Sequence, residues 1–232
     1  MRERRDRRDF VLANTAPLRP PHVPEIVLHL ADEAHELWAK TEEALEAIGL
    51  PPPFWAFAWA GGQGLARHVL DHPALVAGRR VVDFASGSGL VAVAAAKAGA
   101  ASVQALDVDP FAREAAELNA ALNGVAFRTV SEDRIGRALD ADVLLAGDVF
   151  YDREFAARLA PWFDRLAAEG TLVLVGDPGR AYLPRDRVER LAVYEVPVTR
   201  ALEDAEVKRT TVWRWRGDRR PLPGLDAQAP PA

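Results

Sequence analysis

Cysteine is absent from the 232 residues, which removes disulfides, thiolate metal sites and cysteine nucleophiles at once. A basic excess is missing too. Lys and Arg number 29 against 34 Asp and Glu, a formal net charge of -5, and nucleic-acid-binding domains are usually strongly basic. No nucleic-acid partner is therefore expected. The surplus acid slightly favours a cationic substrate or partner, although solubility alone would account for it. No apolar run approaches the ~18 residues of a membrane span, and the amino end does not read as a signal peptide. A soluble, cytoplasmic, monomeric protein without membrane association is the expectation. A metal site is not expected either. His68 and His72 are four apart on a helical stretch but have no third ligand and read as surface residues, and HELWA (35–39) begins like H-E-x-x-H and fails at Ala39.

What is present is a legible alternation. The arginine-rich opening MRERRDRRDF falls in an arm expected to be flexible, residues 1–23, and the proline-rich end 217–232 reads as a disordered tail. Between them, 24–75 form cap elements and 76–216 a core. In the cap, EIVLHLA (25–31) is a strand candidate and 32–49 has helical spacing. The prolines of PPPFWAFAWAGGQG forbid a regular helix in its first half, and a helix is expected from Gly64 to Leu70. From residue 79 onward, short apolar β runs at 79–84, 102–107, 126–130, 142–147 and 171–176 are mostly separated by amphipathic helical stretches. Continuous apolar strands with helical crossovers imply a parallel sheet covered on both faces. LAVYEVPVT and VKRTTVWRWR then alternate with no helix between them, as an antiparallel edge hairpin would. The fold class is thus α/β, Rossmann-like and mostly parallel, with an antiparallel edge.

The stretch VVDFASGSGLVAVAAA (81–96) carries the chemistry. Gly87, Gly89 and Ala92 satisfy G-x-G-x-x-G/A, and Asp107 lies 20 residues after Gly87, which fits a dinucleotide fingerprint with an acid for ribose hydroxyls. Two features point away from a nicotinamide dinucleotide. Asp83 stands inside the strand, where it would organise the glycine loop or meet a cationic ligand, and no second nucleotide-binding half follows. S-adenosylmethionine offers a ribose for Asp107, an adenine for an apolar cleft and a zwitterionic tail for the glycine backbone. Asp83, Asp107, Asp148 and Asp177 all fall at or near strand carboxyl ends, where ligands of open α/β sheets bind.

D-F-A-S-G-S-G followed by D-V-D-P resembles the seven-β-strand methyltransferases dependent on S-adenosylmethionine. PPPFWAFAWAGGQGLARHVLDHP, LAGDVFYD, VGDPGRAYLP and TTVWRW are similar to the group that methylates lysines of the electron transfer flavoprotein β subunit, often labelled nicotinamide N-methyltransferase-like. The likeness runs from about Pro24 to Trp215. It implies that Asp83, Ala85, Gly87 and Gly89 form the cofactor loop, that Asp107 binds ribose, and that Trp59 and Gly61 cover the cofactor. It further implies that Asp133 reads adenine and that the D-x-x-Y motif, Asp148 to Tyr151, faces the transferred methyl. Ala85 departs from the glycine many relatives have, a change that is easy only if its backbone needs no positive φ. Asp148 is too weak a base to take a proton from lysine, and a carboxylate beside an amine raises the amine's pKa. Asp148 is therefore expected to bind and orient the ammonium, and also to line the cofactor site. Tyr151 would wall the channel, and the proton would leave to water. GDPGR (176–180) reads equally as a loop bend or a substrate contact, with Arg180 as the residue to watch. The implied activity is protein-lysine N-methylation of the flavoprotein β subunit. A small amine or pyridine substrate is the alternative, and a nicotinamide-dependent oxidoreductase a more distant one.

Overall fold

A computed structural model describes residues 2–31, 52–198 and 206–216. The helix expected at 32–49 and the tail 217–232 lie outside them. The centre of the fold follows from apolar runs that cannot face water. Strands β3 (Arg80–Phe84), β4 (Ser102–Leu106), β6 (Val143–Gly147) and β7 (Leu172–Asp177) are parallel, and β5 (Arg128–Val130) pairs with β4 at one edge. At the other edge β8 (Val188–Pro197) and β9 (Val207–Trp215) form the expected antiparallel hairpin, with a register shift between Arg190 and Ala192. The seven-stranded order is β5-β4-β3-β6-β7-β9-β8, so β9 lies between β7 and β8. A separate pair, β1 (Ala16–Leu18) and β2 (Leu28–Leu30), is antiparallel; β2 occupies the carboxyl half of the segment expected to be a strand.

Because successive side chains of a strand point to opposite faces, each apolar run feeds two cores. Val81, Val103, Val143, Leu145 and Leu174 point to one face, against helices α2 (Ala60–Asp71) and α3 (Leu90–Lys97). Val82, Leu106, Leu144, Val173 and Val175 point to the other, where α5 (Arg153–Ala168) presents Leu159, Trp162, Phe163 and Leu166. Helix α4 (Pro110–Leu122) completes the crossover between β4 and β5. It starts where its sequence says it should: Asp109 accepts the Phe111 amide at 2.8 Å, and Pro110 occupies a position that needs no amide hydrogen. Asp152 caps α5 in the same way through the Phe155 amide, also at 2.8 Å.

Three expectations are corrected. Residues 2–13 of the supposed flexible arm form helix α1 (Arg2–Ala13). It lies on α4, with Arg4 bonded to the buried Glu114 at 3.1 Å and also to Glu117, Phe10 edge-on to Phe111, and Val11 buried. The charges that suggested a solvated segment hide an amphipathic face that needs α4 to be seen. Helix α2 begins at Ala60 rather than Gly64, running through two glycines, and a carboxylate just after β6 accepts an amide of its first turn. His68 is buried, not superficial: its Nδ1 lies 2.9 Å from the Tyr194 hydroxyl and its ring packs on His72. Burial, chiefly, lowers its pKa to about 4.

Candidate functional site

The carboxyl ends of β3, β4, β6 and β7 form one rim, and the loops leaving them carry most of the residues singled out above. After β3 the chain turns through Ala85, Gly87 and Gly89, with φ of 53, 50 and 76°. Ala85 thus has the left-handed backbone that its departure from glycine was expected to avoid, and it is exposed there. Gly89 is needed for space as well as for φ. A Cβ on it would stand 2.9 Å from Ala116 Cβ, so this glycine lets α4 close on the loop. The Asp83 carboxyl accepts the Ala92 amide at 2.9 Å inside the first turn of α3, a bond that fits the reading of it as organiser of the loop. Burial pushes the Asp83 carboxyl up to about 8, with the nearby Asp107 charge adding to the rise.

Asp107 ties the loop to the next strand. Its Oδ2 accepts the Gly87 amide at 2.8 Å and its Oδ1 the Asp109 amide at 3.0 Å. Burial raises its pKa while those two amides oppose the rise, and burial with the Asp107 charge raises Asp109 to about 6. Two carboxylate oxygens provide roughly four acceptor positions, so each oxygen retains room for a hydroxyl after its amide bond. A vicinal diol is the ligand chemistry that matches.

The second half of the rim is built on close backbone contact. At 147–148 and 176–177 the dipeptide Gly-Asp ends adjacent strands, paired at Gly147 and Gly176. The start of α2 sits directly on these glycines. A Cβ on Gly176 would strike the Gly61 carbonyl oxygen, one on Gly61 would strike that of Gly176, and one on Gly147 would come within 2.8 Å of Gly62 Cα. Asp148 rises between them with φ 59°, an uncommon backbone that aspartate tolerates better than most residues. Its amide donates to the Gly176 carbonyl at 2.9 Å, and its Oδ2 accepts the Gly62 amide at 2.8 Å, where the helix dipole favours an anion. Its Oδ1 accepts from the Arg180 guanidinium at 2.8 Å. Asp148 therefore caps α2, a helix 86 residues earlier in the chain, and is already paired to a cation.

Arg180 is held in turn by Asp177, whose Oδ1 accepts the Gly179 and Arg180 amides at 2.7 and 2.9 Å. The segment is a bend, as one of the two readings of GDPGR has it, and the bend delivers Arg180 to Asp148. The Arg180 guanidinium also lies over the Trp59 ring, 5.9 Å from its centre. Trp59 is the residue before α2 and donates from its indole to the Phe54 carbonyl at 2.9 Å. Phe54 approaches Tyr151 at 5.9 Å between ring centres, and the Phe54–Trp55 backbone lies against Gly87. The segment entering α2 thereby joins the two halves of the rim. Phe54 and Tyr151 remain 46% and 53% exposed, so the rings form an open collar rather than a closed pocket. Burial first, then the Asp152 and Asp107 charges, raise the Tyr151 pKa.

Asp133 is bonded to neighbours outside the rim's hydrogen-bond network. It follows β5, lies exposed, and is bonded to the Ile135 amide at 2.9 Å and to Arg158 of α5 at 2.6 Å. What sequence reasoning missed was the interlock of Gly62, Gly147 and Gly176, and the support of Arg180 by Asp177. The repeated Gly-Asp at two strand ends was the available signal.

Seven strands in this order, a left-handed glycine loop after the first core strand and a diol-ready acid ending the next define the class I S-adenosylmethionine-dependent methyltransferases. S-adenosylmethionine is the cofactor, and Asp107, the Ala85–Gly89 loop and the aromatic collar are the residues whose chemistry fits its ribose, zwitterionic tail and sulfonium. The ribosomal protein L11 methyltransferase (PrmA) family matches residues 68–174. The electron transfer flavoprotein beta subunit lysine methyltransferase of Danio rerio is 37% identical over 218 residues, covering 90% of this chain and 83% of the relative. Its namesakes in Xenopus laevis and Homo sapiens are 39% and 33% identical, covering 89% and 82% of this chain and 85% and 74% of theirs. Among solved structures, Trm5b from Pyrococcus abyssi shares the fold at a TM-score of 0.53 and 18% identity, over 87% of this chain and 56% of that one. The chain belongs to the electron transfer flavoprotein β subunit lysine methyltransferase family.

Proposed function

We propose that this protein methylates lysine side chains of the electron transfer flavoprotein β subunit, with Asp148 and Tyr151 receiving the amine. The likeness to relatives of that name over nine-tenths of the chain supports the substrate. The observation that carries the site assignment is Asp148, an anchored carboxylate at the end of β6 beside exposed rings. When bound, S-adenosylmethionine supplies a methyl group on a positively charged sulfur, which an uncharged amine displaces.

The chain's own part is positioning, which is where an enzyme gains most in a displacement needing no covalent intermediate. Asp107 and the glycine loop hold the nucleoside end. Asp148 accepts a hydrogen from the arriving nitrogen and fixes its direction, while Tyr151, Phe54 and Trp59 line its approach and exclude water from its flanks. An unperturbed lysine has a pKa of about 10.4, so near neutral pH it must first lose a proton, at a cost of roughly 4 kcal/mol. That proton goes to solvent through the open collar. The same openness favours a side chain projecting from a protein over a free pyridine, since a small substrate gains little from rings that are half exposed.

The test is mass spectrometry of recombinant flavoprotein β subunit after incubation with enzyme and S-adenosylmethionine. Lysine peptides gaining whole-methyl increments support the proposal. An unmodified β subunit beside a methylated small amine would move the assignment to the alternative substrate class.

A further inference from the structure

Asp148 poses a problem for the reading above, because a bare carboxylate next to an amine stabilises the ammonium and so holds back the reactive form. The structure contains an answer on the far side of the same carboxylate. Arg180 donates to Asp148 Oδ1 at 2.8 Å, while Oδ2 is taken by the Gly62 amide. The two side chains are only 23% and 11% exposed, so water screens their charges weakly. Nor is Arg180 a loosely placed surface group. Its backbone amide and that of Gly179 are bound by Asp177, Gly179 has a φ of 99°, and the guanidinium rests over Trp59. Among the described residues, the other charged and titratable groups around this point include Asp177 behind the bend, with Arg185 acting on it, and Tyr151, on which Asp152 and Asp107 act. The N-terminus of α2 contributes partial positive charge from a third side.

Resting on the lysine reading, we propose that Arg180 is the fixed counter-cation of Asp148, cancelling its charge so that the carboxylate orients a neutral amine instead of retaining an ammonium. Arg180 is then a positioning residue that acts through Asp148 and does not itself meet the substrate. Asp148 keeps its acceptor geometry, and the amine approaches a carboxylate whose charge Arg180 offsets. This makes the pair, rather than Asp148 alone, the unit that sets how alkaline the solution must be for transfer.

The experiment uses a lysine peptide of the flavoprotein β subunit labelled with 13C at the lysine Cε, bound to the full-length enzyme with S-adenosylhomocysteine. The Cε chemical shift is followed against pH for wild type, Arg180→Lys and Arg180→Gln, and single-turnover methylation is measured over the same range with S-adenosylmethionine. In Arg180→Gln the bound lysine should deprotonate about 1 pH unit higher than in wild type, the low end of the effect of a charge within a few ångströms. Its rate should fall about 10-fold near pH 7.5 and recover in alkali, as the neutral fraction of the amine dictates. Arg180→Lys, which restores the charge, should return both midpoints toward wild type. Arg180→Met, which keeps an apolar stem over Trp59, is the second uncharged variant and should behave as Arg180→Gln if the latter does not fold. An unchanged Cε midpoint, or a rate loss equal at every pH, would give Arg180 a purely structural part and overturn the proposal. If the wild-type enzyme binds the peptide yet methylates no lysine at any pH, the lysine reading itself falls, an outcome that the variants do not enter.

Discussion

Two adjacent glycines at the start of α2 should respond to the same substitution with opposite signs. Gly61 and Gly62 are both helical, and in a helix Gly→Ala alone gains up to about 1 kcal/mol. Among the described residues, the new Cβ at Gly62 meets only Leu90 Cδ2, at an ordinary 3.9 Å. Gly62→Ala should therefore stabilise by about 0.5–1 kcal/mol, raising Tm by roughly 1–3 °C for a chain of this size. At Gly61 the Cβ would strike the Gly176 carbonyl and come within 2.7 Å of the Asp148 carboxyl carbon. Overpacking costs roughly 1–3 kcal/mol, and displacing Asp148 endangers a charge-assisted bond worth about as much. Set against the propensity gain, Gly61→Ala should lose about 2–4 kcal/mol, lowering Tm by roughly 5–10 °C. Thermal unfolding followed by circular dichroism measures both. If Gly61→Ala melts at or above the wild-type temperature, the helix does not rest on β6 and β7 as described, and the reasoning about Asp148 fails with it.

Asp83 gives a test in pH. Its folded pKa, about 8, stands above its unfolded value, so the native state binds the extra proton between those values and stability declines as pH rises from about 4 toward 8. Asp83→Asn should remove a slope of up to about 1.4 kcal/mol per pH unit from urea denaturation measured across that window, and an unchanged slope would contradict the burial argument. Asp107→Asn should weaken S-adenosylmethionine binding about 10- to 100-fold by calorimetry, the worth of a hydrogen bond to a charged acceptor, and equal affinity would remove Asp107 from the cofactor site. Arg4→Ala strips the buried Glu114 of its α1 partner. Because Arg4 is half exposed, the cost should be only about 1 kcal/mol, seen as faster hydrogen exchange throughout α1; unaltered exchange would show that this pair does not hold the helix.

Local signals carried much of this architecture. Val81, Val82, Val143, Leu144 and Leu145 are apolar on both strand faces, and Asp109-Pro110 and Asp152 announce helix starts within a few residues, so the parallel core and its crossovers were readable. The site was readable where its parts are close in sequence, as in Asp83 with its loop or Gly87 with Asp107. It was not where a partner is remote. Asp148 capping Gly62, Glu114 receiving Arg4, and Tyr194 meeting His68 join residues that no periodicity connects. Ala85 is a different kind of miss: its left-handed backbone is imposed by the strand-to-helix turn around it, against the preference of its own side chain.

The double employment of Asp148 bears on how such a catalyst can be retargeted. A residue that anchors a helix cannot be varied without loosening the scaffold, so a new substrate range has to be sought elsewhere. Phe54, Tyr151 and Tyr182, large rings turned toward solvent, offer positions where diversity can be explored at little structural risk. A library confined to that trio would alter which polypeptides are admitted, and at Phe54 and Tyr151 the fit of the donor as well, while leaving the sheet beneath intact.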